Sequence, residues 1–102
     1  MGEFELIERY FKRPPQRAQV SVGDDCAIWM PTPGQALAIS SDMLVEGRHF
    51  LSTVDPAALG HKALAVNLSD LAACGATPCA FTLALSLPQI DDAWLSGFAQ
   101  GL

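Results

Sequence analysis

Ala63-Leu64-Ala65-Val66-Asn67-Leu68-Ser69-Asp70-Leu71-Ala72-Ala73-Cys74-Gly75 is the stretch whose reading decides how the chain is built. Leu64, Leu68 and Leu71 recur at helical spacing, and Ala63, Val66, Asn67, Asp70 and Ala73 fall on another side of the same helix. A helix apolar on nearly every side is expected to be buried. Its one charged residue, Asp70, then needs a cation, a set of donors or a polar cavity. A buried carboxylate without a partner would sooner take up a proton. The flanking segments are therefore expected to supply a cavity that holds metal ions.

The neighbours of this helix follow from their punctuation. Asp55 caps it, Pro56 takes its first position, Gly75 ends it and Pro78 blocks any continuation. Residues 80–87 then alternate Phe81, Leu83, Leu85 and Leu87 with Ala80, Thr82, Ala84 and Ser86, the period of a strand. Asp91 caps a second helix bearing Leu95, Phe98 and Leu102. Upstream, residues 26–30 and 36–42 read as strands joined by the turn Pro31-Thr32-Pro33-Gly34. Residues 43–52 are extended or looped, with one more strand near 45–50 left open. Phe4, Ile7 and Phe11 mark a first helix that stops at Pro14-Pro15, with acids early and bases late. The expected fold class is α+β: a mixed β-sheet of about four strands with helices on one face.

Half of the 102 residues are apolar, enough for one small core and too many for disorder. The net charge is −5 but uneven. Residues 1–19 carry three acids against four bases, and residues 20–102 carry eight acids against two bases. An acidic body of this kind repels nucleic acid and anionic membranes, so neither is an expected partner; divalent metal is. The three cysteines form no Cys-x-x-Cys pair, which reads as free core thiols in a reducing compartment. The acidic N-terminus is unlike a signal peptide, and the longest apolar run, residues 79–87, is far too short to span a bilayer. A cytoplasmic protein is expected.

Chemistry can sit at three acidic spots: Asp24-Asp25, Asp42 and Asp70. Each has a plainer reading, a turn for Gly23-Asp24-Asp25 and a cap for Asp42. Carboxylates gathered at one point repel unless a cation neutralises them. With the hydroxyls of Ser40 and Ser41 they form a set of hard oxygens, which selects magnesium, manganese or calcium. Magnesium prefers to share its shell with phosphate, so the pocket points to a nucleotide carried in as its magnesium complex. Glycine-rich phosphate loops are absent, so any phosphate site must be led by metal. His49, between Arg48 and Phe50, reads either as a packed or surface residue or as a contact to a substrate's phosphate or ring. Gly97 and Gly101 match a small-xxx-small spacing, for which a membrane role is not expected here.

Together these residues resemble a known family. Gly23-Asp24-Asp25-Cys26-Ala27, Ser40-Ser41-Asp42 with Glu46-Gly47-Arg48-His49-Phe50, and the run from Gly60 through Asp70 to Pro78 look like the N-terminal domain of thiamine-monophosphate kinases, in the aminoimidazole ribonucleotide synthetase-like superfamily. The resemblance implies ATP-dependent phosphorylation of thiamine monophosphate to thiamine diphosphate. It implies several magnesium ions held by Asp24, Ser40, Ser41, Asp42 and Asp70, and substrate contact by His49. No residue of this chain is expected to act as a catalytic acid or base. A homodimer is implied too, with the sheets of two subunits closing into a barrel. Cys74 departs from the methionine common in the family. The chain stops before the family's later Gly-Gly-Asp motif and second domain, so residues 1–102 are expected to be the N-terminal metal- and ATP-binding domain of a longer kinase, inert alone. The rival readings are a sibling ATP-dependent synthetase and a non-catalytic dimerisation or metal-binding module.

Overall fold

Glu3 and Glu5 open the first helix, where carboxylates favour the positive end of the helix dipole. The structure, a computed structural model, describes residues 2–13 and 26–102. Helix α1 (Glu3–Leu6) runs directly into a π-helical turn, Ile7–Phe11, closed by the Lys12 N–H donating to the Ile7 carbonyl at 2.9 Å. The late bases act as expected. Lys12 Nζ pairs with Glu8 Oε2 at 3.2 Å, and Arg13 Nη1 donates to the Tyr10 carbonyl at 3.2 Å, satisfying an acceptor that the helix end leaves open.

The chain divides into two compact units. One comprises Met1–Leu37 with Cys79–Ile90, the other Ala38–Pro78 with Asp91–Leu102. In the first, the Gln35 N–H donates to the Thr32 carbonyl at 3.3 Å and closes the turn at Pro33-Gly34.

The second unit is built on two helices, α2 (Pro56–Ala73) and α3 (Asp92–Gly101). Both start as their residues dictate. The Asp55 carboxylate accepts from the Ala58 N–H at 3.2 Å with Pro56 behind it, and the Asp91 carboxylate accepts from the Trp94 N–H at 3.2 Å. α2 ends on Gly75, whose φ of +70° only glycine adopts cheaply. The Gly75 N–H then reaches the Ala72 carbonyl at 3.0 Å and the Ala76 N–H reaches the Leu71 carbonyl at 2.9 Å, a complete Schellman cap.

The core lies where α3 crosses the first turns of α2. Leu95 is 0%, Phe98 3% and Leu59 4% exposed. Each such side chain gains about 1.5–3 kcal/mol by leaving water. Trp94 stacks on Phe98 with ring centroids 5.0 Å apart, 12° from parallel. The helices meet backbone to backbone. A Cβ on Gly60 would run into the Phe98 carbonyl and lie 2.9 Å from the Leu102 nitrogen; one on Gly101 would run into the Ala57 carbonyl. The small-xxx-small spacing thus serves a helix crossing inside the chain.

Three expectations are corrected. The α+β class, with its four-stranded mixed sheet and a barrel closed by a second subunit, does not hold. The described residues form three helices and no strand, and Glu46 and Phe50 make an isolated bridge. Period two marks which side chains share a face, but a strand exists only when a neighbour completes its ladder. Residues 80–87 keep the alternation and lack the ladder: Phe81 is 57%, Leu83 39% and Leu85 37% exposed.

Nor is α2 buried all round. Only Leu59 and Gly60 are buried, while Leu68, Ser69 and Asp70 are exposed. An apolar face is buried only where another element covers it, and α3 covers the N-terminal turns. The desolvation argument for Asp70 therefore lapses. Cys26, Cys74 and Cys79 are in no disulfide, as expected, but they are exposed and not in the core.

Candidate metal and substrate site

Asp70 lies one turn before the end of α2, on the side that also carries Asn67. Ser40, thirty positions upstream, reaches both: its Oγ lies 3.2 Å from Asp70 Oδ2 and 3.1 Å from Asn67 Oδ1. Asn67 is itself fixed, with Nδ2 donating to the Ala63 carbonyl one turn back at 3.1 Å. Ser40 and Asn67 are half-buried and Asp70 is exposed, so the group opens to solvent on the carboxylate side.

The structure thus brings together two of the residues singled out from the sequence, Ser40 and Asp70. Ser41 and Asp42 are exposed, and among the described residues no hydrogen bond ties their side chains to that pair. Asp24 lies outside the described residues. Among those described, no group of three or more His, Cys, Asp or Glu side chains is arranged to hold a metal. The donor chemistry still fits the magnesium that the family resemblance implies. A hydroxyl, a carboxylate and an amide carbonyl are all hard oxygens, and one of them is charged.

His49 sits in a loop closed on itself. The Arg48 and His49 N–H groups donate to the Val45 carbonyl at 3.0 and 2.9 Å, and the Gly47 N–H donates to the Phe50 carbonyl at 2.7 Å. Gly47 turns the chain with a φ of +84°. The Val45 N–H also donates to His49 Nδ1 at 2.9 Å. With Nδ1 accepting, the neutral imidazole carries its proton on Nε2, a donor available to an anion. Lys62, from the second turn of α2, donates Nζ to the His49 carbonyl at 2.8 Å.

Asn67 and Lys62 are the residues that sequence reasoning missed. Helical spacing places Asn67 on Asp70's side, and a lone amide in so apolar a helix was the available signal. Nothing local marks Lys62, whose partner lies 13 positions away.

Residues 23–102 match the family described as AIR synthase related protein, N-terminal domain. Among curated proteins, the chain is 55% identical over 99% of its length to a thiamine-monophosphate kinase of Escherichia coli (strain K12), covering 32% of that protein. It is 50% identical over its whole length to the Haemophilus influenzae protein of the same name, again covering 32% of it. The Bacillus subtilis protein of that name is 38% identical over 86% of the chain. The chain therefore spans about a third of the length of the curated relatives it matches.

Proposed function

The chain belongs to the family of AIR synthase related proteins, as its N-terminal domain, and from that premise we propose that it is the metal- and ATP-binding part of a longer thiamine-monophosphate kinase. The whole protein transfers the γ-phosphoryl group of ATP to thiamine monophosphate, making thiamine diphosphate. The observation that carries this reading is the match of nearly the whole chain to relatives of that name. The approach of Ser40 to Asp70 supports it by providing a place for the chemistry.

The acceptor is a phosphate oxygen already ionised at neutral pH, so no strong general base is required. The difficulty is charge, because two polyanions must approach in line. Asp70, Asp42 and Asp24, with Ser40 and Ser41, would hold magnesium ions, which would supply the positive charge that offsets the phosphates' repulsion. The role of these side chains is to hold metal, and none of them has to transfer a proton in the reaction. His49, its Nδ1 occupied by the Val45 N–H, offers Nε2–H to the phosphate of thiamine monophosphate. The protein works in the cytoplasm as a homodimer. In support of the dimer, Phe81, Leu83 and Leu85 present apolar surface. Among the described residues no helix is long and apolar enough to cross a membrane.

The test is made on the whole protein. Asp70→Asn and Asp42→Asn should each cut ADP release with thiamine monophosphate steeply and raise the magnesium concentration needed for half-maximal rate. Kinetics indistinguishable from wild type in both would overturn the metal-holding role. Because the family description is broader than one substrate, a sibling synthetase is the second reading. ADP release against a panel of acceptors separates the two, and turnover with another acceptor alone decides for the synthetase.

A further inference from the structure

Where Ser40 faces α2, three oxygens share one hydrogen. Ser40 Oγ is 3.1 Å from Asn67 Oδ1 and 3.2 Å from Asp70 Oδ2, and a hydroxyl has a single proton to give. Both acceptors cannot take it in full. Nor can the Asn67 amide turn to donate, because its Nδ2 already serves the Ala63 carbonyl at 3.1 Å. A carbonyl only accepts, so Nδ2 must face Ala63 and Oδ1 must face Ser40. Within the group one hydrogen serves two acceptors, while the exposed Asp70 carboxylate keeps a side open to solvent. A cation arriving on that side would compete with the Ser40 hydroxyl for Asp70.

We propose that Asn67 is a positioning residue of this pocket: it accepts the hydrogen bond of the Ser40 hydroxyl, which would leave Ser40 Oγ and Asp70 Oδ2 both able to serve a divalent cation. The proposal rests on the reading of the pocket as a magnesium site. Without a cation, the charged carboxylate is the stronger competitor for the hydroxyl proton. Once Asp70 serves a cation it gives up that hydrogen bond, and the amide oxygen is the acceptor left within reach. A neutral acceptor suits the place, since a second carboxylate at position 67 would repel Asp70 one turn away. The bond to Ala63 fixes the amide in advance, so no rotamer has to be found when the cation arrives.

Mn2+ alone, added to the whole protein and followed by the electron paramagnetic resonance of the free ion, tests this without nucleotide or turnover. Asn67→Leu is expected to weaken Mn2+ binding about tenfold or more, the loss typical when a partner that orients a metal ligand is removed. Ser40→Ala weakens it as well. The double variant should bind no more weakly than Ser40→Ala alone, because Asn67 acts through Ser40. Wild-type affinity in Asn67→Leu, or losses that simply add, overturns the proposal. Should Asn67→Leu fail to fold, the side-chain amide signals of Asn67 in the wild-type protein decide: they shift on adding Mg2+ if the proposal holds and stay put if it does not. Asp70→Asn separates the two levels. If it binds Mn2+ as wild type does, the metal reading falls and this proposal with it; if it loses Mn2+ while Asn67→Leu keeps it, only the role of Asn67 falls.

Discussion

Lys62 Nζ donates to the backbone carbonyl of His49 at 2.8 Å, so the second turn of α2 holds the loop that carries the imidazole. Both residues are exposed, and a bond of this kind contributes about 0.5–1.5 kcal/mol net. Lys62→Met keeps the aliphatic stem and loses the donor. Amide exchange at Gly47 and His49 should then quicken while the interior of α2 is unchanged, and Lys62→Arg should restore the slow rate. Equal exchange in Lys62→Met would mean that the loop is held by its own bonds alone.

His49→Asn separates the two ends of the imidazole. An asparagine oxygen can stand where Nδ1 stands and still accept from the Val45 N–H, but nothing replaces Nε2–H. The loop should keep its exchange rates. KM for the phosphate-bearing substrate should rise by about tenfold or more, the worth of a hydrogen bond to a charged group. A KM equal to wild type would remove His49 from the substrate site.

The crossing of α2 and α3 predicts an inverted alanine scan. In an exposed helix, Gly→Ala gains about 0.5–1 kcal/mol. At Gly60 and Gly101 the added methyl meets backbone of the other helix, and overpacking costs about 1–3 kcal/mol. Gly60→Ala and Gly101→Ala should therefore lower the urea midpoint. Gly97→Ala, whose methyl would meet Pro56 Cβ at 3.2 Å, should change it least. A gain in stability at Gly60 would contradict the close approach.

Asp55→Ala and Asp91→Ala each remove a carboxylate that accepts a helix N-terminal N–H. Each should cost about 1 kcal/mol, readable as a lower melting temperature. The Asp91 variant should also loosen Trp94, which packs on Phe98, and so shift its fluorescence. Replacement by Ser should recover most of both effects.

The helices could be read from the chain because their signals are local. Asp55 with Pro56, Asp91, and Gly75 followed by Pro78 act within a turn or two of themselves; α2 begins and ends, and α3 begins, where those residues place them. The strand readings at 26–30, 36–42 and 80–87 failed for the opposite reason. Alternating side chains encode two faces, but the ladder requires a second strand that no local pattern supplies.

The site divides in the same way. Residue type alone marked Ser40 and Asp70 as hard-oxygen candidates, and helical spacing put Asn67 on Asp70's side. That Ser40 Oγ meets both side chains, that Lys62 anchors His49, and that Gly60 and Gly101 let two backbones touch were settled by folding. Caps and helix faces depend on neighbours a few residues away, which the order of residues states outright. Contacts across 13 or 30 positions depend on how far each helix is covered, and that emerges only when the whole chain packs.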